Sequence, residues 1–412
     1  MDRSFNAVAM TFGIIAFMAL LWTDFKRTDL VQVSNAINQI CTIERSSREQ
    51  PFLKMARKLV IDLPQWPTPE YTYTPIFSWI FAPMQAAHPS WSPFLWQLLS
   101  MIAFVVSIYA IVRTHEEPEE RNMRSVVLSF VALAFLPVLM SLDLGGADIV
   151  FGVLPLSLGY YFLTTKCPIK AGLILSLTLL KPQFLLPALF LAATMIVDKK
   201  RQKGLISMIA ALAFIFAFDA LLLGGTVSKE LVHCFQLSDA TSFYHGIAPQ
   251  LNMSFSGSIT PLVSQTQFEV LKPAIYAFGV FWGSLAFIAA TRLWQVRITE
   301  EKKLGITFIL AIFITPFIVP NFFLHNFAIY VPAGIVALCA KWSHEGYWEF
   351  KAVLRMTWLL VNIFAAPFFL GKVITAPIIL IFFLLIFYRR LLIIAEAIRT
   401  KESIPEVALV DR

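Results

Sequence analysis

The sequence predicts an all-α protein that crosses a membrane about 12 times, within a range of about 10–13 spans. Two observations support this fold class. Of the 412 residues, 58% are hydrophobic and only 14% are charged, whereas soluble domains carry about 25% charged residues. The apolar residues also collect in runs that are separated by short polar loops, which is the pattern of successive membrane helices.

The apolar runs define the predicted helices in chain order. Residues 5–23 could form a signal peptide, but the run is too long for one and no small-x-small cleavage site follows. Several later runs are shorter than the about 20 residues of a perpendicular span, so we expect broken or re-entrant helices covered by protein. The runs interpreted as membrane helices are 5–23, 94–112, 126–142, 148–164, 171–180, 184–197, 205–224, 274–291, 304–320, 326–340, 353–370 and 373–388.

The basic loops predict the orientation of these helices. Lys and Arg collect in residues 198–204, 292–303 and 341–351 and in the tail 389–412, and loops of this kind face the cytoplasm. With both termini inside, several polar segments fall together on the outer face. These segments are the long loops 24–75 and 225–273, the loop 141–148, the Lys181-Pro182-Gln183 break and the segment 319–327.

The first outer loop is the largest feature outside the predicted bundle, and we expect it to carry helices that lie in the membrane interface. Residues 75–87 either form such a helix or begin the second span. The loop contains many Lys and Arg residues, but long loops are translocated largely regardless of charge. The whole chain, residues 1–412, is interpreted as a single integral membrane domain.

Composition also excludes some classes of function. The net charge is +7, yet the basic residues are spread over separate loops and form no continuous face for nucleic acid. The four cysteines have no metal-ligand spacing. Cys41 and Cys234 both lie in predicted outer loops, so a disulfide between them stays open.

Two aspartates stand where the first predicted helix meets water. Asp24 and Asp29 begin the first outer loop. A carboxylate there can act as a general base toward a hydroxyl, or hold a divalent cation such as Mg²⁺ or Mn²⁺ against a phosphate. The alternative is that Asp29 caps the helix that follows it. The sequence implies no metal or other cofactor firmly.

Lys181 is an ionisable residue within an apolar stretch, and such residues are costly at membrane depth. Its ammonium could reach the interface, pair with an acid, or bind an anionic ligand. A helix that begins near Phe184 would add positive partial charge, which favours a phosphate.

Further candidates lie in the predicted outer segments. Tyr73 could stack on a sugar or belong to an interfacial aromatic belt. Asn252 and Ser254 could bind acceptor hydroxyls or build the turn before Gly257. A single histidine such as His325 is more often structural than catalytic.

Taken together, these stretches resemble the GT-C glycosyltransferases, in particular glycosyltransferase family 87. The resemblance covers most of residues 20–330, and each of its motifs is degenerate. Asp29 and Ala36 fit the first loop of the family, and "YTYTP" fits the entry to the next helix. The later motifs resemble "LGGADIVFGVLPL", "AGLILSLTLLKPQFLLPALF", the Asn252–Ser254 step and "TPFIVPNFFLHNF".

The resemblance implies an inverting transferase on the outer face of the cell membrane. Its donor would be a polyprenyl-phosphate hexose, with mannose as the first choice, and its acceptor a glycolipid or polysaccharide. Asp29, or alternatively Asp24, would be the catalytic base. Lys181, Arg27 and His325 would bind the donor phosphate, and Tyr73, Asn252, Ser254 and Asp148 would bind the sugar or the acceptor.

Two other classes of function remain open at this point. A membrane carrier, such as a flippase for a lipid-linked sugar, would show repeated halves and charges spread along a path. We see one dominant intramembrane cation and no such repeat, which favours the transferase. A non-catalytic subunit of polymer assembly is the third interpretation.

Overall fold

A computed structural model describes residue 11 and residues 92–143, 147–222, 254–259, 263–294, 299–320, 322 and 324–339. These residues form helices joined by short connections, and no strand occurs among them. Outside the described ranges lie the predicted span 5–23 apart from residue 11, the spans 353–370 and 373–388, the first outer loop and most of residues 225–273. The total of about 12 spans therefore stays a prediction.

The described helices follow the apolar runs closely. The α-helices are α1 Ser92–His115, α2 Pro118–Leu133, α3 Leu136–Asp143, α4 Leu154–Thr164, α5 Pro168–Ser176, α6 Leu185–Val197, α7 Gln202–Leu222, α8 Phe255–Ile259, α9 Gln265–Leu293, α10 Glu300–Ile318 and α11 Tyr330–Cys339. A π-helical turn, Ile149–Val153, leads into α4, and the 3₁₀ turns are Leu177–Leu180, Pro182–Phe184, Lys199–Arg201 and Leu324–Ile329.

Some of these helices are long enough to cross a membrane alone. Segments Leu95–His115, Lys199–Phe218 and Thr266–Leu293 have the length and apolar composition of full spans. The predicted span 126–142 is instead a bent pair, because α2 and α3 meet at 83°. Pro137 explains the break, since proline has no N–H to donate to the preceding turn and its ring clashes with that turn.

The chain around Lys181 forms a helical hairpin. Lys181 has a non-helical backbone, with φ −132° and ψ 84°, between the two 3₁₀ turns. The arms return to one end: a Cβ on Gly204, at the start of α7, would meet the carbonyl oxygen of Pro168 at 2.5 Å and Met195 Sδ at 2.9 Å. Lys181 therefore lies at the opposite end from Pro168, Met195 and Gly204.

The hairpin is too short to cross a bilayer. Its first arm, α5 with the following 3₁₀ turn, is about 22 Å long by its residue count, against about 30 Å for the hydrocarbon layer. Residues 178–184, which include the turn, are buried inside the protein. Protein cover of this kind is what permits irregular backbone at membrane depth.

Polar side chains collect at two opposite ends of the described bundle. Asp148, Lys181 and His325 meet at one end, which we call the Asp148 end. The basic loop 198–204 meets the start of α10 at the other, where Arg201 Nη2 lies 3.2 Å from Glu300 Oε2; we call this the Arg201 end. The apolar core between the ends includes the stacked rings of Tyr160 and Phe308, whose centroids are 5.0 Å apart.

Candidate functional site

Asp148 is the centre of the polar cluster at the Asp148 end. It directly precedes the π-helical turn and is completely buried. Its carboxylate accepts hydrogen bonds from Ser141 Oγ at 3.0 Å and from Asn326 Nδ2 at 2.8 Å. It also forms an ion pair with Lys181. The carboxylate thus joins α3, the Lys181 hairpin and the 3₁₀ turn Leu324–Ile329.

Lys181 is also completely buried, and the ion pair with Asp148 accounts for its charge. Its ammonium lies 5.6 Å from the ring centroid of Phe184, which adds a cation–π contact. The sequence allowed the Lys181 ammonium to reach the interface, pair with an acid or bind an anionic ligand, and the observed contacts are those of pairing with an acid. The pair is neutral overall, so Lys181 alone gives the site no net positive charge.

His325 is the accessible member of the cluster. Its side chain is 14% exposed, whereas those of Asp148 and Lys181 are 0% exposed, and its Nε2 lies 3.8 Å from Asp148 Oδ2. The Asp148 carboxylate can orient the imidazole ring, but the ring is largely enclosed by protein and lies near the Lys181 ammonium, and both disfavour a second positive charge. His325 can therefore act toward a ligand as a neutral hydrogen-bond donor.

Ser254 holds the segment 254–259 against the end of α10. Its hydroxyl donates to the carbonyl oxygen of Pro320, and Ser256 donates to the same oxygen at 2.9 Å. The N–H of Gly257 donates to Ser254 Oγ at 3.0 Å, which builds the turn at the start of α8. Ser254 thus builds the turn before Gly257, as one of its two predicted roles requires. Its contact with Pro320 also places this segment near the residues that lead to His325.

The structure thus brings together some of the predicted site residues. Asp148, Lys181 and His325 are in direct contact, and Ser254 is anchored to the segment just before His325. The other predicted site residues lie outside the described ranges: Asp24, Arg27, Asp29, Tyr73 and Asn252. Among the described residues no group of at least three His, Cys, Asp or Glu side chains could hold a metal ion.

Two members of the cluster were not assigned a role from the sequence. Asn326 directly follows His325, and Ser141 lies in the loop segment that was expected at the outer face. Both are common residues in helical stretches, and their role depends on where the carboxylate of Asp148 is placed. Only the adjacency of Asn326 to His325 could have drawn attention to it.

The comparisons with known proteins give one match. The model of glycosyltransferase family 87 matches residues 71–320, which is more than half of the 412 residues. The matched range contains Asp148, Lys181 and Ser254, and His325 lies five residues beyond its end. No curated protein and no solved structure matches the chain.

Proposed function

Because the chain belongs to glycosyltransferase family 87, we propose that it transfers a hexose from a polyprenyl-phosphate sugar to a glycolipid or polysaccharide acceptor. Mannose is the first choice of hexose. The reaction takes place at the Asp148 end, which faces the outside of the cell. The observation that carries this proposal is the polar cluster of Asp148, Lys181 and His325 within an apolar helical bundle.

The depth of the cluster supports a donor that is itself a lipid. The Lys181 hairpin is about 22 Å long, so a bilayer about 30 Å thick extends beyond its turn. A polyprenyl chain lies among the lipid tails, and its phosphate can then reach polar groups below the membrane surface. A water-soluble sugar nucleotide has no comparable reason to bind at this depth.

The orientation follows from the charge of the loops. Residues 198–204 lie at the Arg201 end together with the start of α10, whose preceding loop is also basic. Basic loops face the cytoplasm, so the Asp148 end faces outward. The sequence predicts both termini inside, so we expect the long loop 24–75, which carries the candidate base, on that same side.

The proposed chemistry is a single displacement with inversion. Asp29, or alternatively Asp24, removes the proton of an acceptor hydroxyl, and the hydroxyl oxygen bonds to the anomeric carbon of the donor. The bond between that carbon and the phosphate oxygen breaks, and polyprenyl phosphate leaves with both electrons. Tyr73 and Asn252 orient the sugar and the acceptor, and Ser254 anchors the chain that follows Asn252 to Pro320.

Negative charge develops on the leaving phosphate, so positive charge and hydrogen-bond donors must face it. Asp148 neutralises Lys181, so a net positive charge depends on Arg27 from the first loop, and His325 contributes a hydrogen-bond donor. Lys181 contributes a fixed dipole with its positive side at the hairpin turn. Charge that is positioned in advance in a site poor in water stabilises a departing anion effectively.

Purified protein tests the proposal directly. Wild type, Asp29→Asn and Asp24→Asn are incubated with polyprenyl-phosphate mannose, other polyprenyl-phosphate hexoses and a mixture of glycolipid acceptors. We expect transfer by wild type and loss of transfer in one aspartate variant, with unchanged unfolding midpoints. Absence of transfer from every lipid-linked donor would refute the function, whereas full activity of both variants would refute only the assignment of the base.

A further inference from the structure

A second polar cluster lies at the Arg201 end, away from the proposed active site. Arg201 is only 4% exposed and contacts Asp198 at 3.3 Å and Glu300 at 3.2 Å. Its guanidinium carbon lies 5.1 Å from the ring centroid of Trp294. Lys303 Nζ lies 5.7 Å from the same ring and donates to the Trp294 carbonyl oxygen at 3.0 Å.

Two buried N–H donors in this cluster have no acceptor among the residues that the structure describes. Arg201 Nη1 and Trp294 Nε1 are both enclosed, and neither donates to a group in the described ranges. An unsatisfied buried donor is costly and needs an explanation in a native structure. Guanidinium and indole groups donate and never accept, so the missing partner of both is an acceptor.

The charge around the cluster favours an anionic acceptor over water. Arg201 already contacts both neighbouring carboxylates, Asp198 and Glu300. Lys199, Lys200 and Lys203 are exposed at the same 3₁₀ turn, and among the described residues no carboxylate contact involves their ammonium groups. The cations therefore outnumber the acids at this position, and the local potential is positive.

The surface of the protein beside the cluster carries exposed apolar side chains. Ile196 and Ile206 are 57% and 66% exposed on the protein surface, and Val197 is 45% exposed. They flank the turn that carries Arg201, so the cluster lies where the lipid-facing surface meets water. Clusters of Lys and Arg at this boundary attract anionic headgroups, and the exposed apolar side chains provide contact for acyl chains.

We propose that Arg201, Trp294 and Lys303 form a binding site for the phosphate of an anionic glycerophospholipid. The phosphate oxygens accept hydrogen bonds from Arg201 Nη1 and Trp294 Nε1. The Lys303 ammonium, at the end of a flexible side chain, turns from the Trp294 carbonyl to the phosphate. The bound lipid links the start of α7 to the end of α9 and the start of α10, and it leaves the Asp148 end unchanged.

The substitution Trp294→Phe tests this site with little other change, because it keeps an aromatic ring beside Arg201 and removes the indole N–H. Trp282→Phe, on the helix α9 that Trp294 directly follows, is the matched control. The unfolding midpoint of each detergent-solubilised protein is measured during titration with phosphatidylglycerol, with phosphatidylcholine or with inorganic phosphate. A second pair of variants, Lys199→Gln with Lys200→Gln against Lys166→Gln, tests the contribution of the surrounding charge.

We expect phosphatidylglycerol to raise the midpoint of wild type and of Trp282→Phe. Trp294→Phe should bind this lipid about tenfold more weakly, the effect of one charge-assisted hydrogen bond. Without lipid its midpoint should equal that of the control, because the N–H has no partner to lose. The Lys199→Gln, Lys200→Gln variant should also bind more weakly than Lys166→Gln.

Other results would overturn the proposal. Equal binding of phosphatidylglycerol by Trp294→Phe and Trp282→Phe would show that the indole N–H takes no part. Equal stabilisation by phosphatidylcholine, or full stabilisation by inorganic phosphate, would exclude an anionic lipid as the specific occupant. A lower midpoint of Trp294→Phe in the absence of lipid would show that the indole already has a partner in the protein.

Discussion

Asp148 and Lys181 lie on different helical segments and form an ion pair in which neither side chain is exposed. Asn326 and Ser141 complete the contacts of the carboxylate. The pair joins the start of the π-helical turn to the turn of the Lys181 hairpin. The position of the hairpin, and with it the shape of the proposed active site, therefore depends on these two charges.

Removal of one charge should be more harmful than removal of both. Lys181→Met leaves Asp148 buried without its cation, which costs about 3–5 kcal/mol in comparable pairs. The double variant Lys181→Met, Asp148→Asn keeps oxygen and amide groups for the neighbours and removes both charges. We expect the double variant to regain most of the lost stability, measured as the free energy of unfolding in mixed micelles. Equal stability of Lys181→Met and wild type would contradict the ion pair.

The close contact of α5 and α7 predicts sensitivity at Gly172. A Cβ at this position would meet the carbonyl oxygen of Gly204 at 2.0 Å, and backbone cannot move away as a flexible side chain can. Gly172→Ala should therefore reduce stability by about 1–3 kcal/mol. Leu173→Ala is the control, because Leu173 is 48% exposed on the protein surface. An unfolding midpoint of Gly172→Ala equal to that of the control would show that the helices are farther apart.

The pair of His115 and Glu301 at the Arg201 end predicts a dependence of stability on pH. His115 Nδ1 lies 2.7 Å from Glu301 Oε1, and this hydrogen bond lowers the pKa of Glu301 below its ordinary value of 4.5. A carboxyl with a lowered folded-state pKa stabilises the protein above the unfolded-state pKa, and this stabilisation is lost as the pH falls through the folded-state pKa.

The stability difference between wild type and Glu301→Gln should therefore be constant near neutral pH. It should shrink as the pH falls below 4.5 and through the lowered folded-state pKa. Unfolding midpoints measured across this range check the expectation. Glu119→Gln, which removes an exposed carboxylate on α2, is the control. A stability difference between wild type and Glu301→Gln that grows as the pH falls would contradict a lowered pKa of Glu301 in the folded protein.

His325 should matter for transfer more than for folding. Its contact with Asp148 is long at 3.8 Å, and its side chain is partly exposed, so His325→Asn should leave the unfolding midpoint nearly unchanged. Loss of one hydrogen-bond donor to the leaving phosphate should lower the rate of transfer about 100-fold. Steady-state rates at saturating donor measure this effect, and Lys166→Gln serves as the control. A normal rate of transfer in His325→Asn would show that His325 takes no part in the reaction.

Hydropathy alone predicted the described helices well. In a membrane protein the apolar runs and the basic loops are imposed by the bilayer, so α1, α7 and α9 could be located without any knowledge of packing. The same reasoning placed residues 141–148, the Lys181 break and residues 319–327 on one side. The structure brings Asp148, Lys181 and His325 from these segments into contact.

Side-chain partners could not be predicted in the same way. From the sequence, the Lys181 ammonium could pair with an acid, reach the membrane interface or bind a ligand. Hydropathy could not decide between these, because it gives the depth of a residue and not its neighbours. The bend of 83° between α2 and α3 carries Ser141 to Asp148, and no periodic pattern signals that approach. The orphaned donors of Arg201 and Trp294 likewise appear only once the ends of α7 and α9 are placed together.

The class of donor is the most direct test of the proposed function. Purified protein is incubated with one acceptor mixture and either polyprenyl-phosphate hexoses or nucleotide hexoses, and the released polyprenyl phosphate and the glycosylated acceptor are both quantified. We expect transfer from a polyprenyl-phosphate hexose, equal amounts of the two products, and no transfer from the nucleotide sugars. Transfer from nucleotide sugars alone, or no transfer from any lipid-linked donor, would contradict the proposal of a polyprenyl-phosphate donor.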